Sequence, residues 1–171
     1  TVLDDLWAYD PGSDTWTARA NVPIARWLAA SFAINGFGYV FGGTDATFTY
    51  LSDLQAYDPT TDTWTARAPY PGPPRSGSVG FALGLGGYIT GGFDTVGRLD
   101  DCFEYRPGTN NWVQVASPGP QGRSSACAFT LASNAYVIGG FLTIAGNDVI
   151  TDDVRMYTQN PQPDCNGVVG G

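Results

Sequence analysis

"YDPTTDTWTARAP", residues 57–69, has a near-copy at residues 9–21, "YDPGSDTWTARAN", and a looser third version at residues 105–117, "YRPGTNNWVQVAS". Other landmarks keep step with this stretch. Tryptophans stand at Trp16, Trp64 and Trp112, spaced 48 and 48, and tyrosines at Tyr9, Tyr57, Tyr105 and Tyr157, spaced 48, 48 and 52. Glycine pairs fall at Gly42–Gly43, Gly91–Gly92 and Gly139–Gly140, spaced 49 and 48. Arg26, Arg75 and Arg123 each lie 16 residues before the first glycine of a pair. A period near 50 residues belongs to solenoids, propellers or arrays, in which one supersecondary unit is stacked on copies of itself.

Each unit reads as four short strands. The first is small and apolar ("LAASFAI", "SVGFALG", "ACAFTLA"), and the second ends in the glycine pair ("GYVFGG", "GYITGG", "AYVIGG"). A variable loop leads to the third ("LSDLQAY", "LDDCFEY", "TDDVRMY"), and a turn leads to the tryptophan strand ("TWTARA", "NWVQVA"). Short runs bounded by Gly, Pro, Asn and Asp are the pattern of hairpin-linked strands.

The tyrosine and tryptophan flank one turn, so they end one strand and begin the next. Each ring can bury about 150 to 250 Å², which at about 25 cal/mol/Å² is roughly 4 to 6 kcal/mol gross. A single four-stranded sheet is too thin to bury them, so the rings are expected between neighbouring units. A glycine pair suits the same packing, because a missing Cβ lets a ring or another backbone come close.

Glycine pair, tyrosine and tryptophan in units of this length resemble kelch repeats, over residues 1 to about 158. The resemblance implies an all-β fold: a kelch-type β-propeller of four-stranded antiparallel blades around a channel, with the small first strand nearest the axis and the tryptophan strand outermost. The chain carries part of such a ring, about three and a half blades. The expected divisions are a partial blade at 1–25, blades at 26–74 and 75–122, a partial blade at 123–158 and a linker or tail at 159–171. The last unit has no tryptophan, and Asp164 stands seven residues after Tyr157. Thirteen strands fall short of the roughly four to eight blades of a closed ring, and open edges recruit other strands. The expectation is therefore that further blades of the same parent, a second copy or a partner protein complete the ring. The tail "PDCNGVVGG" resembles the start of the Asp-Cys-Asn-Gly repeats of very large secreted proteins of marine gliding bacteria, often exported by the type IX route. That resemblance implies an extracellular or cell-surface location and a Cys165 paired beyond residue 171; an ordinary linker is the other reading, suggested by "NPQP".

Composition narrows the chemistry. The 171 residues include 23 glycines and 12 prolines, with 15 aspartates and Glu104 against eight arginines, for a net charge of −8. Such an acidic chain is a poor partner for nucleic acid or an anionic membrane, and no apolar run is long enough to insert in a bilayer. Lysine and histidine are absent, which removes Schiff-base chemistry, imidazole metal ligation and the histidine triads. No cofactor and no metal are expected. Aspartate pairs such as Asp4–Asp5, Asp100–Asp101 and Asp152–Asp153 lack a calcium-loop pattern and read as turn and strand-end residues. Cys102 and Cys127 read as small buried residues.

Candidate binding residues come from topology. In an antiparallel blade the loops between second and third strands share a face with the loops between blades. The former are "TDATFTYLS", "FDTVGRL" and "FLTIAGNDVI"; the latter are "NVPIA", "PYPGPP" and "SPGPQG". These vary between repeats while the opposite turns stay nearly constant, and variable loops on a constant scaffold are where binding sits. The face is expected to display Phe48, Tyr50, Tyr70, Phe93, Arg98 and Phe141, with Asp45, Asp94 and Asp148 among them. Two readings fit Arg26, Arg75 and Arg123: a ring near the channel mouth that holds acidic ligands, as the resemblance allows, or ion pairs with Asp53, Asp101 and Asp153, which recur in register. Repetition in every unit favours the pairs.

The function expected is a non-catalytic module that binds protein or glycan through the variable loops. Two alternatives stand beside it: a structural spacer in an extracellular fibre, and a fragment of a kelch-type oxidase or carbohydrate-active enzyme whose catalytic residues lie on other blades.

Overall fold

The computed structural model describes residues 1–158. The tail resemblance, Asp164 and Cys165 lie outside the described residues. The described chain is all-β and without helix. A hairpin of β1 (Leu6–Asp10) and β2 (Thr15–Arg19) comes first. A four-stranded sheet follows: β3 (Ala30–Ile34), β4 (Phe37–Phe41), β5 (Leu54–Asp58) and β6 (Thr63–Ala66), in that spatial order. The next is β7 (Ser76–Leu83), β8 (Gly86–Phe93), β9 (Cys102–Arg106) and β10 (Asn111–Val115), again in sequence order. After the short β11 (Arg123–Ser124), β12 (Cys127–Leu131) and β13 (Asn134–Ile138) pair with each other. The segment read as a variable loop then forms a hairpin of its own, β14 (Phe141–Ile144) and β15 (Asn147–Ile150), which pairs with β11. The last strand, β16 (Val154–Thr158), returns to pair with β13. Sixteen strands are therefore present among the described residues, three more than the repeat alone predicts.

These sheets are blades of a partial β-propeller. The first strands of neighbouring units, β3, β7 and β12, pack side by side, while the tryptophan strands β6 and β10 lie at the opposite edges of their sheets. The inner strands touch by backbone. A Cβ on Gly80 of β7 would stand 2.5 Å from the carbonyl oxygen of Ser31 in β3. Two apolar clusters fill the spaces between blades: one around Phe32, Phe41, Leu54, Ile89 and Tyr105, the other around Val79, Phe81, Tyr88, Cys102 and Val137.

The repeated tyrosine, turn and tryptophan form a clasp between blades. Tyr57 pairs directly with Trp64 across the hairpin, and Tyr105 with Trp112, with ring centroids 5.1 Å apart in both. The residue at the left-handed position of each turn is Asp62 (φ 54°) or Asn110 (φ 49°), types that tolerate this conformation. The Tyr57 hydroxyl donates to Asp62 Oδ1 at 2.8 Å, and the Ala20 amide of the preceding unit donates to the same oxygen at 2.9 Å. Trp64 Nε1 donates to the Ala20 carbonyl at 2.8 Å. One unit later Asn110 Oδ1 accepts from Tyr105 and Ala68, and Trp112 Nε1 donates to the Ala68 carbonyl at 3.0 Å. Trp112 also packs on Phe41 and Tyr70 of the blade before it. Trp16 differs from the expectation of an interblade ring. It is 64% exposed, because among the described residues no blade lies against that side of it; its companion Tyr9 still bonds Asp14.

The arginines form a second clasp, and the structure corrects their reading as ligand-binding residues. Arg26, Arg75 and Arg123 are buried, with Arg75 fully so. Arg26 donates to both carboxylate oxygens of Asp53, at 2.8 and 2.9 Å, and to the Gly42 carbonyl at 3.0 Å. Arg75 grips Asp101 through both terminal nitrogens and donates to the Gly91 carbonyl at 3.0 Å. Arg123 bonds Asp153 at 2.9 Å and the Gly139 carbonyl at 3.2 Å. A guanidinium fork fits a carboxylate in this bidentate way. Each arginine thus straps the glycine pair to the third strand of its own unit, and none is free for a ligand. The glycine pair serves the next blade. Gly42 and Gly91 adopt φ of 59° and 65°, and a Cβ there would lie 2.9 and 2.4 Å from the backbone oxygens of Arg75 and Arg123. Backbone, rather than an aromatic face, makes the close approach.

Two outcomes follow from these clasps. Trp112→Ala should cost about 3 kcal/mol, in the range of large-to-small changes at packed sites, while Trp16→Ala at the same repeat position should cost under about 1 kcal/mol; urea titrations of the two variants measure the difference. The second concerns acid. The Arg123 guanidinium bonded to Asp153, opposed by burial and aided by Arg155, holds that carboxyl well below its ordinary value of 3.8. Burial pushes Asp53 up, but Arg26 and Gln55 outweigh it and leave it below 3.8 as well. A carboxyl depressed on folding stabilises the protein above its unfolded value and loses that contribution as pH falls through the folded one. The denaturation midpoint should therefore be flat above pH about 5 and fall below about 4. Asp53→Asn, which leaves Arg26 buried without its counter-ion, should lose on the order of 3 kcal/mol at neutral pH and flatten the acid limb.

Candidate binding face

The loop face carries two clefts. The first, about 420 Å³, is lined by Phe48, Thr49, Tyr50, Pro73, Pro74, Asp94 and Thr95. The second, about 560 Å³, is lined by Phe93, Asp94, Val96, Gly97, Arg98, Ser124, Ser125, Phe141, Thr143 and Asp148. Asp94 borders both, so the loop 94–97 is the ridge between them. Beneath the ridge Tyr50 and Phe93, from neighbouring units, meet edge to face with centroids 5.6 Å apart.

Both loops are held by an aspartate two residues after a glycine pair. Asp45 Oδ1 accepts the amides of Thr47 at 2.8 Å and Thr49 at 3.0 Å, and the Thr47 hydroxyl. Asp94 Oδ1 accepts the amides of Val96 at 2.7 Å and Gly97 at 3.0 Å. Aspartate side chains that bond backbone further along in this way build compact turns. The bonds around Asp45 hold its carboxyl below the ordinary value, the Thr47 hydroxyl first among them. Each turn displays one apolar side chain: Phe48 is 79% exposed and Val96 93% exposed. Phe48 also sits at φ 63°, a left-handed conformation that a bulky residue adopts only when its surroundings impose it.

The β14–β15 hairpin is the far wall of the second cleft. Arg98 crosses from the ridge to this wall. It donates to Thr143 Oγ1 and to Asp148 Oδ1 at 2.5 Å each, and to Ser124 Oγ at 3.0 Å, with its guanidinium 5.8 Å from the Phe141 ring centre. Arg98 is raised and Asp148 lowered from their ordinary pKa values, each through the hydrogen bond to the other. Arg98 is therefore a brace between two units with one neutralised edge in the cleft.

Of the residues predicted from sequence, Phe48, Tyr50, Phe93, Arg98 and Phe141 line these clefts. Tyr70 does not, and its reading as a binding residue is corrected. Tyr70 alone of the loop 69–74 turns inward, and it lies buried against Phe41, Phe103 and Trp112 with the Arg75 guanidinium 4.9 Å from its ring centre. Burial pushes its phenol up, and the hydroxyl has no hydrogen-bond partner among the described residues. Val96 and the prolines 73 and 74 were missed. The signal for Val96 was present in "FDTVGR": a lone apolar residue at the tip of a turn between Asp94 and Gly97.

Elsewhere, Cys102 is buried on β9, and burial raises its thiol to about 12, a pKa at which it is inert. Cys127 departs from the expectation and is exposed. It occupies the repeat position of Ala30 and Val79, which the following blades cover; among the described residues no blade covers β12. No group of three or more Cys, Asp or Glu side chains gathers as a metal site among the described residues, and no helix there is long and apolar enough to cross a membrane.

A family model described as the KLHDC2/KLHL20/DRC7 Kelch-repeats domain matches residues 1–140. No curated protein matches the chain. Domains of the matched kind are usually non-catalytic and serve as protein-interaction modules. With blades held by glycine pairs, tyrosines and tryptophans at one period and a family match over most of its length, the chain belongs to the kelch-repeat family.

Proposed function

We propose that the chain is a non-catalytic binding module that holds a protein partner across the two loop-face clefts, as part of a larger extracellular or cell-surface protein. The observation that carries the binding role is the pair of aspartate-fixed turns that hold Phe48 and Val96 almost fully in solvent. Exposed apolar side chains on rigid supports bind at low entropic cost, and aromatic anchors dominate interfaces. The extracellular assignment is supported by the resemblance of the tail to secreted bacterial proteins.

The same reading includes further blades, from the parent chain, a second copy or a partner. Its support is the register of exposed residues. Phe129 and Leu131 are 47% and 64% exposed, whereas Phe32, Phe81, Ile34 and Leu83 at the same repeat positions are buried by the next blade.

A displayed library of random peptides, beside an array of glycans, tests the binding role. Peptides selected on the wild-type chain should lose at least about tenfold in affinity on Phe48→Ala while the variant keeps its stability within about 1 kcal/mol. Selection of glycans alone, or of peptides indifferent to Phe48→Ala, would overturn it.

A further inference from the structure

We propose that the loop face takes an extended peptide segment with apolar side chains at its first and fifth positions and Arg or Lys at its third. This deepens the reading of that face as a binding site and rests on it. Each cleft offers apolar side chains, Phe48 and Tyr50 in one and Phe93, Val96 and Phe141 in the other. Between them stands Asp94, which borders both. In an extended segment, residues two apart point to the same side. The first, third and fifth side chains therefore reach one cleft, the ridge and the other cleft.

The charge at the ridge decides the central residue. Asp94 spends Oδ1 on the Val96 and Gly97 amides, and no arginine pairs with its carboxylate among the described residues. Arg98, the one basic residue lining either cleft, is neutralised by Asp148. Arg75 nearby is enclosed by Asp101. The chain as a whole carries −8. Laid across the ridge, a guanidinium or ammonium gains from Asp94, while a carboxylate there meets like charge.

The test uses terminally blocked, fluorescent pentapeptides with Phe or Leu at both ends, serine at positions two and four, and Arg, Gln or Glu in the centre, titrated by anisotropy against the whole chain. The Arg peptide should bind about tenfold more tightly than the Gln peptide, with the Glu peptide weakest. Asp94→Asn is the informative variant, because its amide oxygen can still accept from Val96 and Gly97 while the charge is gone. It should remove the preference for Arg and leave the Gln peptide unchanged. An equal or better affinity for the Glu peptide, or an Arg preference that survives Asp94→Asn, sinks the proposal alone, provided Phe48→Ala and Val96→Ala still weaken binding. Peptides indifferent to both of those variants, or no peptide binding while a glycan binds, would overturn the binding face and this proposal with it.

Discussion

At two junctions between blades, the amide and the carbonyl of a single residue are both met by side chains of the next unit. The amide of Ala20 donates to Asp62 and its carbonyl accepts from Trp64; the amide and carbonyl of Ala68 meet Asn110 and Trp112 in the same way. These groups are only half-buried, and pairing them contributes about 0.5 to 1.5 kcal/mol each. At the junction of two sheets no strand ladder is available to satisfy them, so the next blade supplies side chains instead. The tyrosine supports this, since its hydroxyl donates to the same turn oxygen that accepts the neighbouring amide. Tyrosine, turn and tryptophan form a single device, and a spacing of seven residues is what a two-stranded hairpin needs to set both rings opposite each other.

The arginine clasp works on the other side of the unit and solves a different problem. A glycine pair with φ near 60° and 92° bends the end of the second strand and leaves the carbonyl of its first glycine to the side chain of an arginine. Those carbonyls are taken by Arg26, Arg75 and Arg123, whose charge is in turn met by an aspartate on the third strand. Burial of a charge is tolerable only with such full pairing. The acid excess of the chain is then not distributed evenly, because Arg26, Arg75 and Arg123 are locked inside and, among the described residues, Asp45 and Asp94 on the loop face have no cationic partner.

The architecture was legible because the repeat is written in residue types with few alternatives: a glycine pair, a tryptophan and an arginine each do one thing. The preference for Arg–Asp pairing over a ligand ring was legible too, since a device needed by every blade recurs in every blade. What was not legible was direction. Tyr70 and Phe48 are both aromatics in variable loops, yet one turns inward to fill the space beside Trp112 and the other stands in solvent. Periodicity carries no sign for a residue in irregular backbone. Nor did it show that "FLTIAGNDVI" pairs with itself, because the Ala145–Gly146 turn was read as part of a loop rather than as a hairpin closure.

The loop face inherits its rigidity from the same repeat that makes the blades. Asp45 and Asp94 occupy one register, two residues after a glycine pair, and each folds its loop onto a single carboxylate oxygen. In the third unit that register holds Leu142, and the aspartate turn is replaced by strands β14 and β15, tied back by Arg98. Three units thus give two small turns and one wall, and the difference in the third is what turns a row of similar loops into a groove with a closed end. A groove of this kind needs no departure from the propeller scaffold. It needs only that one position be released from the aspartate role, at which point the loop is free to lengthen and the neighbouring arginine has a carboxylate, Asp148, to hold.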